Sequence, residues 1–123
     1  MSRSTRSALL LAGLLATAGV AHFASPKQFD VLVPESLPGD PRTWTQASGV
    51  AELALAAGLA LPATRRASAR ATALFFAGVF PGNVKMAYDW RNRSPKARAI
   101  AYGRLPLQLP LILWARSVGR AGD

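Results

Sequence analysis

Apolar residues gather into four runs, Ala8 to Phe23, Trp44 to Leu61, Ala71 to Tyr88 and Ile100 to Trp114, separated by proline-rich or arginine-rich connectors. None of the connectors shows the strict alternation of a strand, and each run is near the lower limit of about 17 residues for a helix that spans a bilayer. The pattern predicts an all-α fold: a four-transmembrane-helix up-down bundle, one domain over residues 1–123. The first connector, with Pro26, Phe29, Val31, Leu32, Val33, Pro34, Leu37, Pro38 and Pro41, is too apolar for a solvated linker and too rich in proline for a long helix. It is expected to fold back over the bundle as an interfacial lid, because an exposed apolar patch needs cover.

Polar residues inside the runs fall towards one end of the predicted bundle. His22 closes the first run, Ser48 and Glu52 lie early in the second, Asn83 and Lys85 late in the third, and Arg104 and Gln108 early in the fourth. Alternating helices bring all of these to the same half of the bundle. Ser48 and Glu52 are four apart, as are Arg104 and Gln108, so each pair shares one helical face. A charge near the centre of a membrane helix costs about 2.5 to 3.5 kcal/mol, whereas each Leu or Val returns about 0.3 to 0.6. Glu52 should therefore be protonated or paired, with Arg104 or Lys85 as partner. A purely structural ion pair, or snorkelling of Lys85 and Arg104 to headgroups, is the plainer alternative.

Pro81-Gly82-Asn83 should interrupt the third helix, where freed carbonyls must find protein or water. Pro106 and Pro110 should make the fourth irregular. Small residues at Gly13, Ala16, Gly58, Ala60 and Gly78 would allow close helix approach, and Trp44, Trp90 and Trp114 sit at run ends as interfacial anchors.

Composition sharpens the class. An apolar content of 50% and a positive mean hydropathy are high for a water-soluble chain with a net charge of +9. The basic residues sit mostly at run ends rather than on one face with readers between them, which fits a lipid bilayer and argues against nucleic acid. Seven of them fall on the side of the termini (Arg3, Arg6, Arg65, Arg66, Arg70, Arg116, Arg120) and six opposite (Lys27, Arg42, Arg91, Arg93, Lys96, Arg98), so cytoplasmic termini are weakly favoured for a multi-pass plasma-membrane protein. Arg3 and Arg6 before an Ala/Leu core also imitate a secretory signal, but the three further apolar runs favour an uncleaved anchor. With no cysteine and one histidine, the chain has no thiol redox centre and cannot supply bis-His haem ligation; a metal site is not expected.

Gly19-Val20-Ala21-His22-Phe23, Phe29-Asp30-x-x-Val33-Pro34 with Leu37-Pro38, Ser48-Gly49-x-x-Glu52, Phe80-Pro81-Gly82-Asn83-x-x-Met86-Ala87 and Arg104-Leu105-Pro106-Leu107-Gln108 with Trp114 together resemble small actinobacterial DoxX-like membrane proteins. That resemblance runs from Leu14 to about Trp114. It implies a four-helix plasma-membrane protein with cytoplasmic termini, associated with redox systems such as quinone-linked thiosulfate oxidation or thiol-oxidant resistance complexes. The absence of cysteine leaves no direct thiol role.

The expected function is a redox-associated accessory subunit, or a binder of a small amphiphile such as a quinone or lipid, with a polar cavity in one half of the membrane. In it Glu52 and Arg104 pair, Asn83 and Gln108 hydrogen-bond the ligand, Lys85 lies in the same layer, and His22 relays protons at the mouth. The alternatives are a proton-coupled small-molecule transporter, which would need dimerisation, and a membrane-protein assembly factor. Autonomous catalysis is not expected, since no nucleophile with an adjacent base and no phosphate-binding loop is present.

Overall fold

The computed structural model describes residues 2–120, and these are all-helical, with no strand among them. Helix α1 spans Arg3–Ala24, the short α2 Pro26–Asp30, α3 Pro41–Ala60, α4 Arg65–Gly78, α5 Phe80–Asp89 and α6 Pro95–Arg120.

Local chemistry sets the ends of these helices. The Ser2 side chain accepts from the Thr5 N–H, and Asp40 does the same for Arg42 ahead of Pro41, whose missing N–H is harmless in a first turn. At the other end of α3, Leu61 is extended, as a residue preceding proline must be. The third apolar run splits at Val79 into α4 and α5, where Pro81 has no N–H to offer the Ala77 carbonyl. Pro106 and Pro110 leave α6 continuous, so it runs over 26 residues, well past the predicted 100–114.

The long helices pack in the order α1, α3, α4, α6, with α1 against α3 and α4 against α6 as the main pairs. The apolar core lies in the half nearer the termini, where Ala8, Leu11 and Leu15 of α1 meet Leu59, Ala69, Phe76, Ala115 and Val118. Two polar devices brace this half. Trp114 donates its indole N–H to Ser7 Oγ at 2.8 Å, tying the end of α6 to the start of α1. Arg65, buried at the start of α4, donates to the Leu59 and Ala60 carbonyls at 2.8 and 3.2 Å and so satisfies the last turn of α3.

Among the described helices one, α1, is long and apolar enough to cross a membrane, with 22 residues and a mean hydropathy of 1.7; a signal sequence or a soluble core helix passes the same test. The four expected spans are not matched by four such helices. The break at Val79 leaves α4 with 14 residues and α5 with 10, α4 opens on Arg65 and Arg66, and α6 begins with Lys96 and Arg98.

Candidate functional site

The half of the bundle away from the termini collects the buried polar side chains Thr45, Glu52, Asn83 and Gln108. What brings α1 close enough to α3 to build it is a pair of glycines. A Cβ on Gly19 would lie 3.1 Å from the Gly49 carbonyl, and one on Gly49 would lie 3.0 Å from His22 Cβ and 2.7 Å from Phe23 Cε2. Neither glycine is among the small residues singled out from the sequence. Of those, Gly58 does sit tight against Ser68, whereas Gly13 and Gly78 face open space.

That approach sets His22 on Glu52. The His22 Nδ1–H donates to the Ala18 carbonyl at 2.7 Å and is shared with Glu52 Oε1 at 3.1 Å. A carbonyl can only accept, so Nδ1 carries a proton, and Nε2 has no hydrogen-bond partner among the described residues. Phe29 of α2 stacks on the imidazole with centroids 3.8 Å apart. The connector thus returns over the bundle, and α2 roofs the histidine. Beside it, Arg42 Nε–H donates to Asp30 Oδ2 at 2.9 Å. Thr45, and after it Arg42, hold the Asp30 carboxyl below its ordinary range, although neither Thr45 Oγ1 nor Asp30 Oδ1 makes a hydrogen bond of ordinary geometry.

Neither expected cation meets Glu52. Lys85 instead donates to the Val31 carbonyl at 2.8 Å and to Asp89 Oδ2 at 2.7 Å, one turn along α5, because its long stem carries the ammonium out to the connector. Arg104 points at Met86, with 3.2 Å from the guanidinium to the sulfur. Asn83 and Gln108, expected to face a ligand, face each other. Asn83 Nδ2–H donates to Gln108 Oε1 at 2.9 Å, and Gln108 Nε2–H donates to the Phe76 carbonyl. Gln108 therefore bridges the last turn of α4 and the first turn of α5, holding the broken rod together. Ser48, four residues before Glu52, is half-buried on α3. Two surface clefts lie away from His22: one is lined by Arg3, Ser4, Ser7, Ser117 and Val118, the other by Pro34, Glu35, Lys85, Tyr88 and Asp89. Among the described residues no group of three or more His, Asp or Glu is placed to hold a metal ion.

Residues 11–119 match the family described as Domain of unknown function (DUF8561). The chain belongs to that family. The match overturns the DoxX-like resemblance, so the redox association no longer has that resemblance behind it. Short motifs of Gly, Pro and aromatic residues mark helix ends and breaks in unrelated helical proteins, so their order along the chain carries little family information. No curated protein and no solved structure matches the DUF8561 chain.

Proposed function

We propose that the chain is a multi-pass membrane protein whose polar half binds the headgroup of a small amphiphile, with His22 as the contact. The membrane reading rests on many exposed large apolar side chains together with a set of buried polar ones. Leu10, Val20, Val50, Leu74, Leu107 and Leu109 are exposed, while Thr45, Glu52, Thr72, Asn83 and Gln108 are buried. Exposed apolar side chains in this number favour a non-aqueous surrounding. Only 28% of the most apolar window of α1 is buried, which speaks against a core helix of a soluble protein. At 1.5 Å per residue, α1, α3, α4 with α5, and α6 measure about 33, 30, 36 and 39 Å, enough to cross a hydrocarbon core of about 30 Å.

The observation that carries the binding reading is the state of His22. Its Nδ1–H is committed to Ala18 and Glu52, and Phe29 fixes its plane, so Nε2 is the ring atom left to meet a headgroup, accepting from a hydroxyl while it is unprotonated. Glu52 stabilises the ring should it gain a second proton, which would turn Nε2 into a donor for a carbonyl headgroup. A quinone and its quinol present those two groups in turn. The protein, purified from its native membrane in mild detergent, should retain a quinone or lipid detectable by native mass spectrometry. Glu52→Gln and His22→Phe should lose it, and Arg91→Gln should keep it. Equal ligand content in all three, with only a lower melting temperature for Glu52→Gln, would make the His22–Glu52 pair a structural brace.

A further inference from the structure

The two ends of the bundle carry similar numbers of cations but treat them differently. Away from the termini, Arg42 and Lys85 are ion-paired with Asp30 and Asp89, Arg91 and Arg93 lie over the rings of Tyr88 and Trp90, and Arg104 rests on Met86, while Lys27, Lys96 and Arg98 make no ion pair with any described residue. At the terminal end every cation is an arginine. Arg65 caps α3, whereas the exposed Arg3, Arg6, Arg66, Arg70, Arg116 and Arg120 make no ion pair with any described residue, and no acidic side chain lies there among the described residues. The bundle gathers them onto one surface. Trp114 is bonded to Ser7, and a Cβ at Gly119 would lie 3.3 Å from Arg70 Cγ and 3.6 Å from the Arg66 carbonyl.

Between the start of α1 and the end of α6 this surface is indented by a cleft of about 230 Å³ lined by Arg3, Ser4, Ser7, Ser117 and Val118. Ser7 Oγ accepts from Trp114, which leaves its own proton to donate, and Ser4 is half-buried with no hydrogen bond from its hydroxyl among the described residues. One guanidinium and two hydroxyl donors in a cleft, ringed by uncompensated arginines, form a receptor for a phosphate oxygen group. Arginine in place of lysine matches such a group through paired N–H donors.

We infer that the terminal face binds anionic phospholipid, with the phosphodiester of one headgroup in the Arg3–Ser4–Ser7 cleft and the remaining arginines on its neighbours. A lipid is the source because the cleft lies where α1 and α6 leave the proposed bilayer, with the Trp114 indole beside it. The inference rests on the membrane reading above and goes beyond it, since the amphiphile site is at the opposite end.

The test is native mass spectrometry of the full chain from detergent micelles containing equimolar phosphatidylglycerol and phosphatidylcholine. The wild type should carry phosphatidylglycerol in preference. A basic residue close to an anionic surface contributes about fivefold in affinity, so Arg3→Gln and Arg70→Gln should each reduce that preference about fivefold, and Lys27→Gln and Arg98→Gln, at the other end, should leave it unchanged. Circular dichroism of each variant verifies that the helices persist. Equal loss from both sets of variants, or no preference in the wild type, overturns the inference. Displacement of the lipid by millimolar inorganic phosphate would overturn the lipid as source and leave a free-phosphate site. Alkaline carbonate extraction of native membranes separates the two readings: release of the chain sinks the membrane reading itself, whereas a retained chain without lipid preference sinks only this one.

Discussion

Replacing Gln108 by leucine, a side chain of similar size, should loosen the junction between α4, α5 and α6 more than any other single polar substitution in this half. The change removes the donor to the Phe76 carbonyl and the acceptor of the Asn83 amide together. On the proposed membrane reading, where hydrogen bonds between helices average about 0.6 kcal/mol and reach about 1.7, two of them amount to about 1 to 3 kcal/mol. Asn83 is 7% exposed, so its stranded amide cannot turn to water and adds to the loss. The expected destabilisation of Gln108→Leu is about 2 to 4 kcal/mol, against about 1 for Asn83→Leu, which leaves Gln108 on Phe76. In the double variant the Asn83 amide is gone, so the two changes should be sub-additive by about 0.5 to 1 kcal/mol. Unfolding in mild detergent, followed by circular dichroism and tryptophan fluorescence, measures all four corners of the cycle. Strict additivity, or equal losses from the two single variants, would refute the bridging role of Gln108.

Gly58→Ala should cost about 1 to 3 kcal/mol by overpacking, since its Cβ would fall 1.9 Å from Ser68 Oγ and 2.9 Å from Ser68 Cβ, and Ser68→Gly should restore part of the loss in the same melting assay. Gly49→Ala should lower amphiphile retention with His22 and Glu52 intact, because the added methyl pushes α1 away from α3; unchanged retention in native mass spectra would show that the pair tolerates the shift. The Asp30 carboxyl is held below its ordinary 3.8 by Thr45 and then Arg42. Its contribution to stability is therefore complete above 3.8 and disappears as pH falls through the lower folded value. Asp30→Asn should remove that acid-side dependence from the denaturation midpoint measured against pH, and an unaltered profile would exclude Asp30 as its source. Arg65→Met should destabilise by stranding the Leu59 and Ala60 carbonyls, seen as faster amide exchange in the last turn of α3.

The helical runs were legible because long apolar stretches bounded by proline leave few other options. Their ends were less so. Arg65 to Arg70 read as a charged connector, yet only Pro62 stops a helix there, and arginine, alanine and serine continue one readily. Pro106 and Pro110 pointed to an irregular fourth helix, but a proline removes one hydrogen bond without forcing an end, and α6 runs on past the apolar stretch that set its expected bounds. Gathering of His22, Glu52, Asn83 and Gln108 in one half followed from chain direction alone. Pairing did not, because matching Glu52 to the nearest formal cations ignored how far a lysine or arginine stem carries its charge. The signal for His22 was present in Gly19 and Gly49: two glycines facing across α1 and α3 fix which helices touch, and through that which side chains meet.

The Trp114–Ser7 bond joins positions 107 residues apart. During synthesis the start of α1 waits for nearly the whole chain before its neighbour arrives, while α1 and α3 can already pair through Gly19 and Gly49. A chain stopped short of Trp114 would therefore have its His22 site assembled and its terminal end unfinished, with Ser7 lacking its α6 partner. Quality control that recognises open helix seams would read such a product as unfinished until α6 docks.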